Sequence, residues 1–355
     1  MLPPASTIGI LGVGQLGRML VSAAEQLGFH TAIFGPDAER SPAGQVTNHA
    51  ISGAYEDAAA VEAFAAGCDV VTYEFENVPA ETAAAVARTG KPLAPNAQAL
   101  AVSQERLREK ETFRQLKIDT VDFWDVQDAD DLARALDAAG PSILKTRRFG
   151  YDGKGQAKLA GEEDPAQVLS DLGGGPWILE ALAPFRRELS QVAARSVTGD
   201  IVFYDLCENE HRGGILARSV IPADVEDTIK AQARNAVQRI MEHLNYVGVL
   251  TVEFFDMGDR LLANEMAPRV HNSGHHTVEA CTVGQFEQHI RAVAGWPLRQ
   301  PITLAPHEML NLIGPQILEW PQLAADPKVS LTLYGKGEPR SGRKMGHAVR
   351  PLLDD

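Results

Sequence analysis

The chain has 355 residues, enough for two or three domains with sizeable cores, and its 45% apolar and 23% charged content is ordinary for a globular protein. A formal charge of −14 argues against a general nucleic-acid or membrane surface and leaves room for a local basic pocket. Cys68, Cys207 and Cys281 are odd in number and far apart, which fits reduced thiols in a cytoplasmic protein better than disulfides or metal ligands. No apolar run approaches the ~20 residues of a membrane span, and "MLPPASTIGIL" lacks a basic start and a cleavable apolar core.

The first hundred residues alternate apolar runs with helical patterns. "TIGIL", "HTAIFG" and "CDVVTYEF" read as strands, and "QLGRMLVSAAEQLG" and "DAAAVEAFAAG" as the helices between them: βαβαβ, half of a doubly wound sheet. "NVPAETAAAVARTG" starts a helix near Pro79 and stops at Gly90. The charged helix "SQERLREKETFRQL" bridges to a small α+β unit. That unit has the strand "SILKTRR", the glycine-rich turn "FGYDGKGQ", the return strand "AKLA", the helix "DPAQVLSDLGGG" and the strand "PWILEALA". From Glu188 onward the pattern is antiparallel: strands "ELSQVAARS", "IVFYDLCEN" and "GILARSVIP", the helix "DTIKAQARNAVQRIMEHLN", then strands "YVGVLTVEFFD" and "RLLANEMAP". The tail adds a last helix and a few short strands, and there is no internal repeat.

Five stretches carry chemistry. In "GILGVGQLGRM", residues 9–19, Gly12, Gly14 and Gly17 fit G-x-G-x-x-G after a strand. A dinucleotide site also wants an acid at the end of the second strand, where this chain has Phe34 and Gly35, with Asp37 beyond a proline. By itself the motif leaves NAD, another phosphate-bearing ligand and a structural turn open.

"ILKTRRFGYDGKGQ", residues 143–156, puts Lys145 on a strand entering a flexible loop, the arrangement of a lysine on nucleotide phosphates beneath a glycine flap. An exposed basic hairpin turn is the bland alternative. "VEFFDMGDRLLANEMAPR", residues 252–269, is a hairpin with Glu253 on one arm and Asn264 and Glu265 on the other. Two carboxylates meeting across it suit Mg²⁺, a hard cation. A regular two- or four-residue loop would oppose Glu253 to Leu262 and turn Glu265 to the other face. An odd loop such as Met257-Gly258-Asp259, or a bulge, puts both acids on one face. Solvated strand acids are the alternative there.

"RVHNSGHHT", residues 269–277, gathers Arg269, His271, Asn272, Ser273, His275 and His276 in a loop beside the hairpin acids that is fit to receive substrate, with a solvated polar loop as the alternative. A zinc reading lacks a cysteine and a helical i, i+4 histidine pair. "LYGKGEPRSGRKMGH", residues 333–347, holds Lys336, Arg340, Arg343 and Lys344, cations able to clamp a phosphate monoester, though a solvated basic turn fits as well.

Together with "YEFENVP", residues 73–79, these stretches resemble the ATP-grasp superfamily over nearly the whole chain, most closely its N5-carboxyaminoimidazole ribonucleotide synthetases. The resemblance implies a three-domain α/β ATP-grasp fold. A Rossmann-like preATP-grasp domain would span 1–111, a small α+β lid with the glycine-rich loop 112–184, and a larger antiparallel α+β domain 185–355. It implies ATP- and bicarbonate-dependent carboxylation of aminoimidazole ribonucleotide in purine biosynthesis, through carboxyphosphate, with ATP and Mg²⁺ and without NAD.

By the same resemblance, ATP would contact Arg106, Lys145, Gly150, Tyr151, Asp152, Gly153, Lys154, Gly155, Gln156, Glu180, Ala181, Leu182, Ala183, Glu188, His211, Asn264 and Glu265. Glu253 and Glu265 would hold Mg²⁺. The ribonucleotide would touch Gln15, Leu16, Glu76, Tyr151, Asp152, Arg269, His271, Asn272, Ser273, Lys336, Arg343 and Lys344. Lys145 and Arg269 would stabilise the transferring phosphoryl group, and Asp152, at the loop tip, would handle the amine proton. A cytoplasmic homodimer is implied, with hand-off to the mutase that follows, and no nucleic-acid or membrane partner. A formate-activating ligase of the same superfamily and an NAD(P)-dependent oxidoreductase are the competing functions.

Overall fold

The apolar run Thr7–Leu11 forms β1 inside a parallel sheet whose order is β3-β2-β1-β4, with β2 at His30–Gly35, β3 at Ala50–Ser52 and β4 at Val70–Tyr73. The computed structural model describes residues 1–148, 150 and 155–352. Helices α1 (Gln15–Gln26), α2 (Ala58–Ala66) and α3 (Ala80–Arg88) flank the sheet. α1 buries Leu16, Leu20, Val21 and Ala24 at helical spacing, and Asp57 caps α2 by accepting from Ala60 N. The sheet thus has one strand more than the βαβαβ expected. β3 is a three-residue edge whose Ile51 stays exposed, too short to show a period.

Helices α4 (Ala97–Ser103) and α5 (Arg106–Gln115) lead to the second sheet. Glu105 starts α5 by accepting from Leu107 N and Arg108 N, 3.1 Å each. The antiparallel sheet runs β5-β8-β6-β7, from β5 (Phe123–Val126), β6 (Ser142–Thr146), β7 (Gln156–Leu159) and β8 (Trp177–Ala181). α6 (Ala129–Ala139) and α7 (Pro165–Leu172) cover it. The unit has its own core, around Leu132, Leu136, Leu144 and Leu179.

The third sheet, antiparallel, has nine strands among the described residues. They are β9 (Arg187–Arg195), β10 (Ile201–Phe203), β11 (Cys207–Arg212), β12 (Ile215–Ile221), β13 (Gly248–Asp256), β14 (Leu261–Ala267), β15 (His307–Ile313), β16 (Ser330–Leu333) and β17 (Lys344–Pro351). Helices α8 (Asp227–His243), α9 (Thr277–Ala280), α10 (Gln285–Val293) and α11 (Trp320–Ala325) accompany it. "IVFYDLCEN", expected as one strand, is two. After Phe203 the chain leaves the ladder, with Leu206 O accepting from Ala223 N, and re-enters at Cys207 opposite Ser190. β14 is the outer edge of this sheet, and α5 lies against it.

The first and third sheets share one core. Ile8, Ile10, Leu20 and Phe29 pack in the same cluster as Val192, Val249, Phe286 and Ile290. His289 on α10 adds a polar rivet: Val249 N–H donates to its Nδ1 (3.1 Å), so its Nε2 carries the proton and donates to Thr72 Oγ1 on β4 (2.8 Å). Burial pushes this imidazole down to about 3. A folded value below the ordinary one means stability that is whole above about pH 6.5 and is lost as pH falls toward the folded value. The advantage of the wild type over His289→Gln, read from urea unfolding, is therefore expected to shrink by about 2 kcal/mol between about pH 7.5 and about pH 5. A constant advantage would show that the folded protein takes up this proton without penalty.

Candidate active site

The glycine cradle at the start of α1 is already filled. Gly14 N–H donates to Glu74 Oε1 at 2.6 Å, and a Cβ on Gly12, whose φ is +130°, would lie 2.3 Å from Glu74 Cγ. The chain's own carboxylate thus takes the place a pyrophosphate would hold at this helix start. β2 ends at Gly35 with no acid, and the Tyr55 hydroxyl fills the space where a Gly35 Cβ would be, 2.5 Å away. The glycines therefore shape a turn around Glu74. Leu16 sends its side chain into the core, which leaves only its backbone to face a ligand.

Where the three sheets meet there is a cleft of about 330 Å³. Glu253 and Glu265 face each other directly across β13 and β14, on one face of the sheet. The loop between the strands has four residues, not three, and a regular ladder from it would set Glu253 opposite Asn264 rather than Leu262. The register slips by one between Glu253 and Phe254, and Asn264 is the extra residue. The bulge, and not the loop, gathers the carboxylates. Arg106 Nη1 lies 3.1 Å from Glu265 Oε2, and this cation, after the opposing effect of burial, holds the Glu265 carboxyl below its usual range. Burial first, and then the facing Glu265, push the Glu253 carboxyl up.

Beyond Glu253 stands His271, its Nε2 3.4 Å from Glu253 Oε1. Ser273 N–H donates to His271 Nδ1 (3.3 Å), so Nε2 carries the proton that points at Glu253; burial holds this imidazole well below its ordinary value. His211 pairs through Nδ1 with Glu188. Burial alone would push the His211 imidazole down, and the Glu188 pairing more than reverses this. Arg269 Nη2 meets Glu76 Oε1 at 2.7 Å, and Gln104 Nε2 pins the Glu76 and Val78 carbonyls at 2.8 Å each. Asn272 exchanges two amide hydrogen bonds with Asn311, and Ser273 is buried behind His271 against Ser190.

At the other end, Lys145 Nζ donates to Glu180 Oε2 (2.8 Å), and Arg106 Nη2 donates to Gly150 O (3.0 Å). Two lysines outweigh burial and hold the Glu180 carboxyl down to about 2. Gly155 closes the root of the glycine-rich turn, with φ +69° and a Cβ position 2.7 Å from Thr146 Oγ1. Tyr151, Asp152, Gly153 and Lys154 lie outside the described residues.

Of the residues expected from sequence, the cleft brings together Arg106, Lys145, Gly150, Gln156, Glu188, His211, Asn264 and Glu265 with Glu253, Glu76, Arg269, His271, Asn272 and Lys344. Lys336 stands beside it, donating to Lys344 O at 2.7 Å. Arg343 points to Glu338 O (3.3 Å), and Gln15 does not line the cleft. Ala181, Leu182 and Ala183 line a second hollow, with Arg260 and Leu262. His275 and His276 are buried away from the cleft; among the described residues no group of three or more His, Cys, Asp or Glu side chains is set to hold a metal. Sequence reading missed Glu74, Glu109, Lys110 and Arg147. Arg147 binds both oxygens of Glu105 (2.7 and 2.8 Å), tying the root of the loop to the start of α5.

Three known domain families match in succession: the ribonucleotide synthetase preATP-grasp domain over 5–104, the ATP-grasp domain over 111–286, and the phosphoribosylaminoimidazole carboxylase C-terminal domain over 308–350. The N5-carboxyaminoimidazole ribonucleotide synthase of Brucella melitensis is 48% identical over 353 residues, covering 98% of this chain and 97% of that protein. The chain belongs to the N5-carboxyaminoimidazole ribonucleotide synthase family. It is an ATP-grasp ligase, and its mixed α/β architecture is that of the family.

The Thermus thermophilus synthetase superposes with a TM-score of 0.90 at 44% identity, covering 97% of this chain and 93% of that one. An Aspergillus clavatus synthase, solved with ADP and 5-aminoimidazole ribonucleotide, superposes at 0.91 and 30% identity over 98% and 94%. With Glu74 seated in the cradle, calorimetric titration with NAD is expected to give no saturable heat at micromolar concentration. Saturable binding that disappears in Gly14→Val would restore the dinucleotide reading.

Proposed function

We propose that the chain carboxylates the exocyclic amine of 5-aminoimidazole ribonucleotide, consuming ATP and bicarbonate and releasing ADP and phosphate. The observation that carries this is the single cleft in which a phosphate-binding set, Arg106 and Lys145, adjoins paired carboxylates and then a second cationic set, Arg269 and Lys344. That order suits a nucleotide at one end, a phosphorylated substrate at the other and phosphoryl transfer between them. We read the domains as 1–111, 112–184 and 185–355, which places the cleft at their junction.

Bicarbonate is a poor electrophile. Its oxygen attacks the γ-phosphorus of ATP, the bond to ADP breaks, and carboxyphosphate forms. Its breakdown releases phosphate and CO₂, and the amine nitrogen adds to the carbon and gives up one proton. Lys145 and Arg106 orient the nucleotide phosphates, and Arg269, held by Glu76, offsets negative charge on the transferring group. The glycine-rich loop excludes water from the labile intermediate, and Asp152 within it takes the amine proton. Lys336, Arg343 and Lys344 hold the substrate phosphate. Glu253 and Glu265 fit Mg²⁺: they are an all-oxygen donor pair, face to face, and the proximity that pushes Glu253 up is relieved by a divalent cation. The bound cation supplies charge neutralisation to the phosphates.

We further read the protein as a cytoplasmic homodimer that passes its unstable carbamate to the mutase acting next. Its three buried, unpaired cysteines suit a reducing compartment. No helix among the described residues is long and apolar enough to cross a membrane.

Phosphate release is expected to require bicarbonate and aminoimidazole ribonucleotide together, and formate is not expected to replace bicarbonate. Glu253→Gln and Glu265→Gln are each expected to abolish that release while far-UV circular dichroism is unchanged; near-normal turnover in both removes them from metal binding. Lys336→Ala is expected to raise KM for the ribonucleotide roughly ten- to a hundredfold, the worth of one charge-assisted contact, and to leave KM for ATP nearly unchanged. Equal effects on both would give Lys336 another role.

A further inference from the structure

α5 is charged along most of its length, yet it buries Glu109, Lys110, Thr112 and Phe113. Lys110 is 1% exposed, and a buried ammonium persists only where acceptors surround it. Its Nζ donates to Asn264 O (2.7 Å) and reaches Ala263 O and Glu180 Oε2 at 3.5 Å each. Asn264 is the extra residue of the bulge, and Glu180 is the carboxylate that holds Lys145. One ammonium therefore touches both the strand carrying Glu265, one of the metal-binding pair, and the strand that leads out of the second sheet.

Its neighbours on the helix act on the same segment. Glu109 Oε1 accepts from Met266 N (2.7 Å), and Arg106 takes the Glu265 side chain. The backbone before and after Glu265 and its carboxylate are thus each bound by one turn of α5. A ladder edge interrupted by a bulge lacks strand partners that would set its position, and here charged side chains replace them.

We propose that Lys110 is a positioning residue for nucleotide binding. It fixes the bulge at Asn264, and with it Glu265, relative to Lys145 across the boundary between the second and third sheets. Without touching the nucleotide, it sets the spacing between the metal carboxylates and the phosphate-binding lysine. The inference rests on reading the cleft as the Mg·ATP site.

The test measures Mg·ADP binding by calorimetry in the wild type, Lys110→Met and Lys110→Arg, with melting temperatures and KM values alongside. Lys110→Met keeps the length and removes the charge. Lys110→Arg keeps the charge, so that a folded variant is available, but a planar guanidinium does not reproduce an ammonium shared by three acceptors. Both are expected to weaken Mg·ADP binding, Lys110→Met by about 10- to 100-fold, as for other residues supporting metal ligands. The Mg²⁺ concentration for half-maximal turnover should rise with it, and KM for the ribonucleotide should stay at its wild-type value. Wild-type Mg·ADP affinity in either folded variant, even with a lowered melting temperature, would overturn the inference. A wild type that fails to bind Mg·ADP would instead overturn the reading of the cleft, and the inference with it.

Discussion

Two carboxylates face each other across the cleft of this protein, and at that range both stay ionised only if cations are brought to them. Much of the architecture serves that requirement. Arg106 meets Glu265 from α5, Lys110 from the same helix holds the backbone beside it, and the lysine strand of the second sheet delivers Lys145 to the same neighbourhood. Glu180 in turn keeps two lysines close together, which like charges would otherwise resist. The segments that supply these groups lie far apart in sequence, and Phe113 of α5 packs with Phe254, Ala263 and Met266 to bring two of them together. The cleft is the point at which their charges compensate.

The legible part of the sequence was what depends on residue type and local period. The strand–helix alternation of the first domain, the lysine strand running into a glycine turn, and the long antiparallel run were all readable, because burial period and turn residues are local properties. The two acids of the hairpin were readable as a pair. Their common face was not, since it hinges on one extra residue at Asn264 that no period marks. β3 is short and exposed, so it carries no pattern. α6, by contrast, is absent from the sequence reading although its signal stood in plain view: Asp128 as cap, with Leu132 and Leu136 at helical spacing.

The site residues that escaped notice share a cause. Lys110 and Glu109 sit in a segment whose composition says exposed helix, and their burial follows from docking against a distant strand edge. Glu74 belongs to "YEFENVP", a stretch noticed as a family signature, yet its place in the glycine cradle depends on the pairing of β1 with β4. Chemistry that lies within one motif was accessible; chemistry made by joining two motifs required the fold.

The shared core of the first and third sheets has a bearing on how the molecule breathes. Ile8 and Ile10 cannot leave their packing without exposing Val249 and Ile290 as well, so amides in β1 and β13 should exchange with solvent only in one large, cooperative opening. The second sheet keeps its leucines to itself and is joined to the rest through the charged contacts of Glu180 with Lys110 and of Arg147 with Glu105, so its amides should exchange in a smaller opening of their own once those contacts part. Rigidity is thus concentrated in the body that carries the acids, and compliance in the sheet that carries Lys145.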